Sequence, residues 1–202
     1  MLNLGKTKEE SQKMRARTKK QESFAIWITG LPGSGKSVIS DALKDILNNH
    51  KIRTQILRTD ELRRIMTPQP KYTDEERGIV YNMLVYVGEL LTTNGINVIF
   101  DATGNKRRFR TNARNRIKKF MEVYLNCPLD ICMKRESSRK KLFGAPKQIY
   151  EGAMKGAATT VPGLQVPYEE SINPELTLDT NELTPDECAK IIFEKASELF
   201  SL

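Results

Sequence analysis

The sequence predicts an α/β fold of three layers, with a central parallel sheet between helices. Two observations carry that expectation. Apolar runs of strand length alternate with amphipathic helical stretches, joined by short connections, which is the pattern of a parallel sheet covered on both faces. A glycine-rich turn also joins the first such strand to the first such helix. The 202 residues suffice for one domain with a full core. With 39% hydrophobic and 29% charged residues the composition is that of an ordinary globular protein. No apolar run approaches the ~20 residues that span a bilayer, so no membrane partner is expected. The N-terminus has no apolar core of the signal-peptide type, so a cytoplasmic location is expected.

Residues 1–22 hold seven Lys or Arg and three Glu and read as a basic N-terminal tail, leaving residues 23–202 as the domain. Phe24 to Thr29 reads as a buried strand. A helix follows from Gly35 to His50, with Val38, Ile39, Ala42, Leu43, Ile46 and Leu47 on one face. Ile52 to Leu57 is the second strand. Thr73 to Glu76 has the form of a capping box, with Thr73 capping and Glu76 reaching back, and its helix runs to Asn94 before Gly95. Ile96 to Phe100 is the third strand, Lys106 to Lys119 a basic helix, and Phe120 to Leu125 the fourth strand. A helix starts at Leu129, Leu176 to Leu178 is a short fifth strand, and Thr184-Pro185 opens a C-terminal helix. Residues 140–174, rich in Gly, Pro, Lys and Thr, read as a lid-like segment. Cys127, Cys132 and Cys188 lack metal-ligand spacing and read as buried free thiols. The lone histidine, His50, sits at a helix end and takes no catalytic role.

The motif G-x-x-x-x-G-K-[ST] occurs at Gly30, Leu31, Pro32, Gly33, Ser34, Gly35, Lys36 and Ser37, with a strand before it and a helix after it. Its glycines let backbone N–H groups turn toward phosphate oxygens, and the helix N-terminus adds a positive dipole end. Together with Val38 this segment is the expected ATP-binding element of a P-loop NTPase fold of the nucleoside- and nucleotide-kinase type. Lys36 is expected to reach the β- and γ-phosphates, and Ser37 to ligate Mg²⁺.

Ligands of open parallel sheets gather at the carboxyl ends of the strands. Asp60 follows the second strand and Asp101 closes the third. Asp60 and Arg63 share a helical face, so Asp60 is the candidate acceptor of a hydroxyl proton and Arg63 the candidate holder of an anionic acceptor. Asp101 reads as a carboxylate near Mg²⁺ or the acceptor. In the basic run Lys106 to Arg110, Arg107 and Arg110 are the candidates to face phosphates. Of the net charge of +8 the tail supplies +4, and the remaining charge of the body suits small anionic substrates. The basic tail leaves nucleic acid open as a less favoured partner, and a homodimer is also left open.

These residues resemble the adenylylsulfate kinase family, whose members phosphorylate the 3′-hydroxyl of adenosine 5′-phosphosulfate (APS) in sulfate assimilation. The P-loop Gly30 to Ser37, Asp60-Glu61-Leu62-Arg63, Arg77, the run from Lys147 to Glu169, and Asn173 to Thr180 carry the resemblance, which spans Phe24 to Phe200. It implies that Asp60 is the base, that Arg63 and Arg77 clamp the phosphosulfate, and that Lys147 belongs to a lid over the site. The chain departs from the family pattern at Arg58, where the family has an aspartate, and at Val80. It departs again at Ala102 and Val161, where the family stacks the adenine between two phenylalanines, with Tyr72, Phe109 or Phe143 as candidate replacements. Two rival readings are a kinase of another hydroxyl acceptor, such as a polynucleotide 5′-hydroxyl or a small metabolite, and a nucleotide-binding regulatory protein without transfer activity.

Overall fold

The computed structural model describes residues 23–139, 143–146, 148–156, 158 and 160–202. The expected basic tail and Lys147 lie outside them. Five strands, β1 (Phe24–Thr29), β2 (Thr54–Arg58), β3 (Asn97–Asp101), β4 (Lys119–Asn126) and β5 (Leu176–Asp179), form one sheet in the order β2-β3-β1-β4-β5. Every pairing is parallel. The helices are α1 (Lys36–Asn49), α2 (Thr59–Met66), α3 (Asp74–Thr93), α4 (Arg107–Arg116), α5 (Leu129–Ser138), α6 (Ile149–Met154) and α7 (Pro185–Phe200).

The central strand shows why the sheet is buried on both faces. Its side chains alternate, Phe24, Ile26 and Ile28 packing into one apolar cluster and Ala25 and Trp27 into the other. The first cluster lies under α1 and α7, the second under α3 and α4. Trp27 satisfies its indole N–H by donating to the Ala102 carbonyl at 2.9 Å. Gly88 of α3 packs directly on Phe100, so close that a Cβ there would lie 2.1 Å from the ring.

Several expectations change in detail. Val38 is 47% exposed and not on the buried face of α1, because it sits in the first turn at the cavity mouth. Thr73 does cap α3, accepting from the Glu76 amide at 3.2 Å. Glu76 does not close the box; its carboxylate accepts from the Lys71 and Tyr72 amides and pairs with Arg63. The reciprocal box is at Thr184 and Glu187, opening α7. The basic helix ends at Arg116, because Lys119 already belongs to β4. All three cysteines are buried and free, as expected. Among the described residues, no helix is long and apolar enough to cross a membrane.

Candidate active site

A cavity of about 840 Å³ opens at the carboxyl ends of β1, β2 and β3. This is the crevice made where the strand order reverses around β1, since β1 lies between β3 and β4 while its chain continues to β2.

The turn between β1 and α1 forms the floor. Gly33 has φ +85°, and a Cβ on it would lie 2.2 Å from the Cys132 carbonyl oxygen, so only glycine fits this approach to α5. Gly35, at φ 100°, precedes α1, and no side chain caps that helix, which leaves its first amides directed at the cavity. Lys36 is buried, and its ammonium donates to the carbonyls of Gly30 at 2.9 Å and Leu31 at 2.8 Å. Burial lowers its pKa, against the pull of Asp101 and Asp60. The Ser37 hydroxyl favours the charged form of the Asp101 carboxyl across the same cavity. Pro32, Gly33, Gly35, Lys36, Ser37 and Val38 line the cavity directly. Gly30, Leu31 and Ser34 stand behind them, the first two presenting their carbonyls to Lys36.

Asp60 and Asp101 face the same space from the ends of β2 and β3. Asp60 lies inside α2, and Arg58 is the N-cap residue of that helix. Burial raises the pKa of both carboxyls, and for Asp60 the neighbouring Asp101 charge adds to it. Lys36 opposes the shift in both cases.

Arg63 and Arg77 form the adjoining wall. The Arg63 guanidinium pairs with Glu76 at 2.6 Å and lies over the Tyr72 ring, 4.7 Å from its centroid. Arg77 donates to the Tyr72 carbonyl at 3.1 Å and the Thr160 carbonyl at 2.7 Å, joining α3 to the segment before β5. Each guanidinium keeps further donors beyond these bonds. Phe143, Gln148, Thr160 and Val161 close the opposite side, from the stretch read as a lid.

Two expected phosphate-facing arginines are placed elsewhere. Arg107 is exposed and sits against Glu169 and the Glu170 carbonyl, away from the cavity lining. Arg110 is fully buried, paired with Glu122 at 2.8 Å. The sequence could not place them because their partners come from β4 and from residues near 170, far along the chain. Conversely, Glu76, Arg135 and Arg139 were missed. Arg135 of α5 and Arg139, the residue that caps its C-terminus, line the cavity, and their i, i+4 spacing was the available signal. Of the candidate replacements for an aromatic clamp, Tyr72 and Phe143 line the cavity, as does Tyr81. Phe109 lies behind Tyr81, stacked on it at 4.3 Å.

The donor set fits the expected ligands. An uncapped helix N-terminus beside a buried lysine suits a polyphosphate, and a hydroxyl with a carboxylate offers the hard oxygens that Mg²⁺ takes. Comparison with known proteins agrees. A sequence model of the adenylylsulphate kinase family matches residues 22–179. The chain is 34% identical over 178 residues to a probable adenylyl-sulfate kinase of Pyrococcus abyssi, covering 88% of this chain and 97% of that one. It is 37% identical over 160 residues to the corresponding protein of Archaeoglobus fulgidus, covering 79% and 97%. The fold superposes with a TM-score of 0.77 on the Mycobacterium tuberculosis APS kinase CysC, solved in complex with AMPPNP and APS, at 28% identity over 86% of this chain and 97% of that one. With a family model matched over residues 22–179 and relatives more than 30% identical over most of their length, this protein belongs to the adenylylsulphate kinase family.

Proposed function

We propose that this protein transfers the γ-phosphoryl group of ATP to the 3′-hydroxyl of APS, giving ADP and 3′-phosphoadenylylsulfate. The observation that carries the reading is the single cavity into which Lys36, Ser37, Asp60, Asp101, Arg63 and Arg77 all converge. Lys36 and the α1 amides bind the phosphate chain. Ser37, oriented by Asp101, would hold Mg²⁺, which supplies charge neutralisation on the phosphate oxygens when bound. Asp60 takes the hydroxyl proton as the new O–P bond forms, and its raised pKa suits a base working near neutrality. Arg63 and Arg77 hold the acceptor's anionic end. The walls around Tyr72 and Val161 shield the reaction from water.

A different hydroxyl acceptor is the second reading. It is favoured by Ala102, which is 1% exposed and stands outside the cavity lining, so it presents no surface to a stacked base. One experiment separates them. The protein is incubated with γ-labelled ATP, Mg²⁺ and, in parallel, APS, nucleosides, 5′-hydroxyl oligonucleotides and small alcohols. Label in APS at low substrate concentration supports the reading, and label only in another acceptor replaces it.

The same reading places the enzyme in the cytoplasm and extends to self-association. Ile79, Met83, Tyr86 and Leu90 form an exposed apolar stripe along α3, about 17 Å long at the helical rise. Two copies of α3 laid antiparallel set Ile79 against Leu90 and Met83 against Tyr86, with no charge in the stripe to oppose the pairing. Sedimentation of the wild type and of Tyr86→Glu tests for this dimer.

A further inference from the structure

Arg58 is the last residue of β2, and its side chain is 15% exposed. Its guanidinium reaches carboxylates from three separate elements. Nε donates to Asp101 at the end of β3 at 3.2 Å, Nη2 pairs with Asp41 of α1, and Nη1 lies 3.5 Å from Glu61 of α2. The ring of Phe143 covers it, with the centroid 5.2 Å from the guanidinium carbon. Asp41, Asp101 and Phe143 all line the cavity. Ser37 lines the same cavity, and its hydroxyl favours the charged form of the Asp101 carboxyl.

One planar cation therefore ties the P-loop helix, two strand ends and the cavity roof to each other. A guanidinium suits the task, because its fork of fixed donors can hold several carboxylates in set directions, whereas an ammonium is a point charge on a flexible stem. The Phe143 ring matters for a second reason. Shielding an ion pair from water strengthens it, so the ring firms the grip of Arg58 on Asp101. Asp101 lines the cavity with the Ser37 hydroxyl, the expected Mg²⁺ ligand, so slack in Asp101 alters the surroundings of that hydroxyl.

We propose that Arg58 is a positioning residue for phosphoryl transfer, aiming Asp101 at the Ser37 hydroxyl while Phe143 shields the guanidinium. The inference rests on the kinase reading above. Arg58 touches neither substrate; it acts through Asp101.

The test is a double-mutant cycle on the full chain with Arg58→Lys and Phe143→Leu. Both variants keep the charge balance of the acidic cluster, so folding is preserved and is checked by melting curves. Transfer to APS and acceptor-free hydrolysis of MgATP are measured for each. Positioning predicts that Arg58→Lys lowers kcat in both reactions roughly 10–100-fold, the scale of a small misplacement of reacting groups. The KM for ATP should stay within about threefold, since Lys36 and the loop amides are untouched. Phe143→Leu should cost less, and the two losses should fail to multiply because both act through one contact. Wild-type kcat in Arg58→Lys would overturn the proposal, since charge alone would then suffice. So would losses that multiply, or a change confined to the melting temperature. If the wild type ignores APS, the acceptor reading fails by itself, while the hydrolysis arm still decides the role of Arg58.

Discussion

Glu76 offers the sharpest test of how the acceptor wall is built. Its carboxylate accepts from the Lys71 amide at 2.6 Å and the Tyr72 amide at 3.2 Å, and pairs with Arg63 at 2.6 Å. The Arg63 side chain is 6% exposed and that of Glu76 is 14% exposed, so the pair is nearly dry. Glu76→Ala leaves a buried guanidinium without its carboxylate and two amides without their acceptor. Breaking a buried pair from one side costs about 3–5 kcal/mol. The Tyr72 ring still faces Arg63 in the variant, which moves the expectation to the lower end, about 3 kcal/mol. For a chain of this size that is a fall in Tm of roughly 6–12 °C. Because Arg63 is the proposed anion clamp, the KM for APS should rise together with the loss of stability. Glu76→Gln keeps an amide oxygen for the two backbone donors and loses only the charge, so it should fall between wild type and alanine in both readings. Thermal melting and steady-state kinetics at saturating ATP measure the two effects. If Glu76→Ala melts within about 2 °C of wild type and binds APS unchanged, the account of this wall is wrong.

Three further outcomes are expected. Lys36→Ala should lower kcat about 10²–10³-fold while the protein stays folded, and turnover near wild type would remove the P-loop lysine from the chemistry. Asp60→Asn should lower kcat roughly 10²–10⁴-fold. Since the Asp60 pKa is raised, wild-type kcat should fall on acidification through a limb above the ordinary carboxylate range, and the asparagine variant should lack that limb; a pH–rate profile reads both. Ala102→Phe should cost about 1–3 kcal/mol by overpacking, because Ala102 lies among Trp27, Tyr81 and Phe109. Val161→Phe enters the cavity instead and should tighten APS binding, which melting curves and direct binding separate.

The sheet and the P-loop were legible because each is encoded in contiguous residues. Phe24 to Ile28 is apolar throughout, as a strand buried on both faces must be, and the glycine pattern that follows has its meaning within eight residues. Asp60 and Asp101 were legible for a related reason: a parallel sheet fixes where its strand ends point. What escaped was whatever depends on a partner far along the chain. Glu76 satisfies the local pattern of a capping box, yet Arg63 and the turn at Lys71 and Tyr72 compete for its carboxylate and win, since a charge-assisted pair is stronger than a bond to one more amide. Arg110 reads within its basic run as a candidate to face phosphates and is instead buried against Glu122, which arrives on β4. The exposure of Val38 follows from its place at a cavity mouth, which helical periodicity does not register.

The molecule keeps two kinds of ionic arrangement, and they answer pH in opposite directions. Away from the cavity, Arg114 grips Glu175 with two hydrogen bonds, and the Glu122 amide adds another. Despite partial burial, these bonds hold the Glu175 carboxyl below its ordinary pKa. A depressed carboxyl contributes stability above its unfolded pKa and loses it as the pH falls through the folded value. At the cavity, Asp60 and Asp101 are raised by burial, so their charges cost stability at neutral pH, and acid relieves that cost. Folding alone gives no reason to bury two carboxylates with a lysine whose own pKa burial lowers. Groups strained in this way, gathered in one cleft, are what proton transfer and phosphate binding require. It follows that neutralising Asp60 should leave Tm unchanged or higher at neutral pH while activity collapses. Neutralising Glu175 should lower Tm and leave the kinetics of the folded enzyme intact.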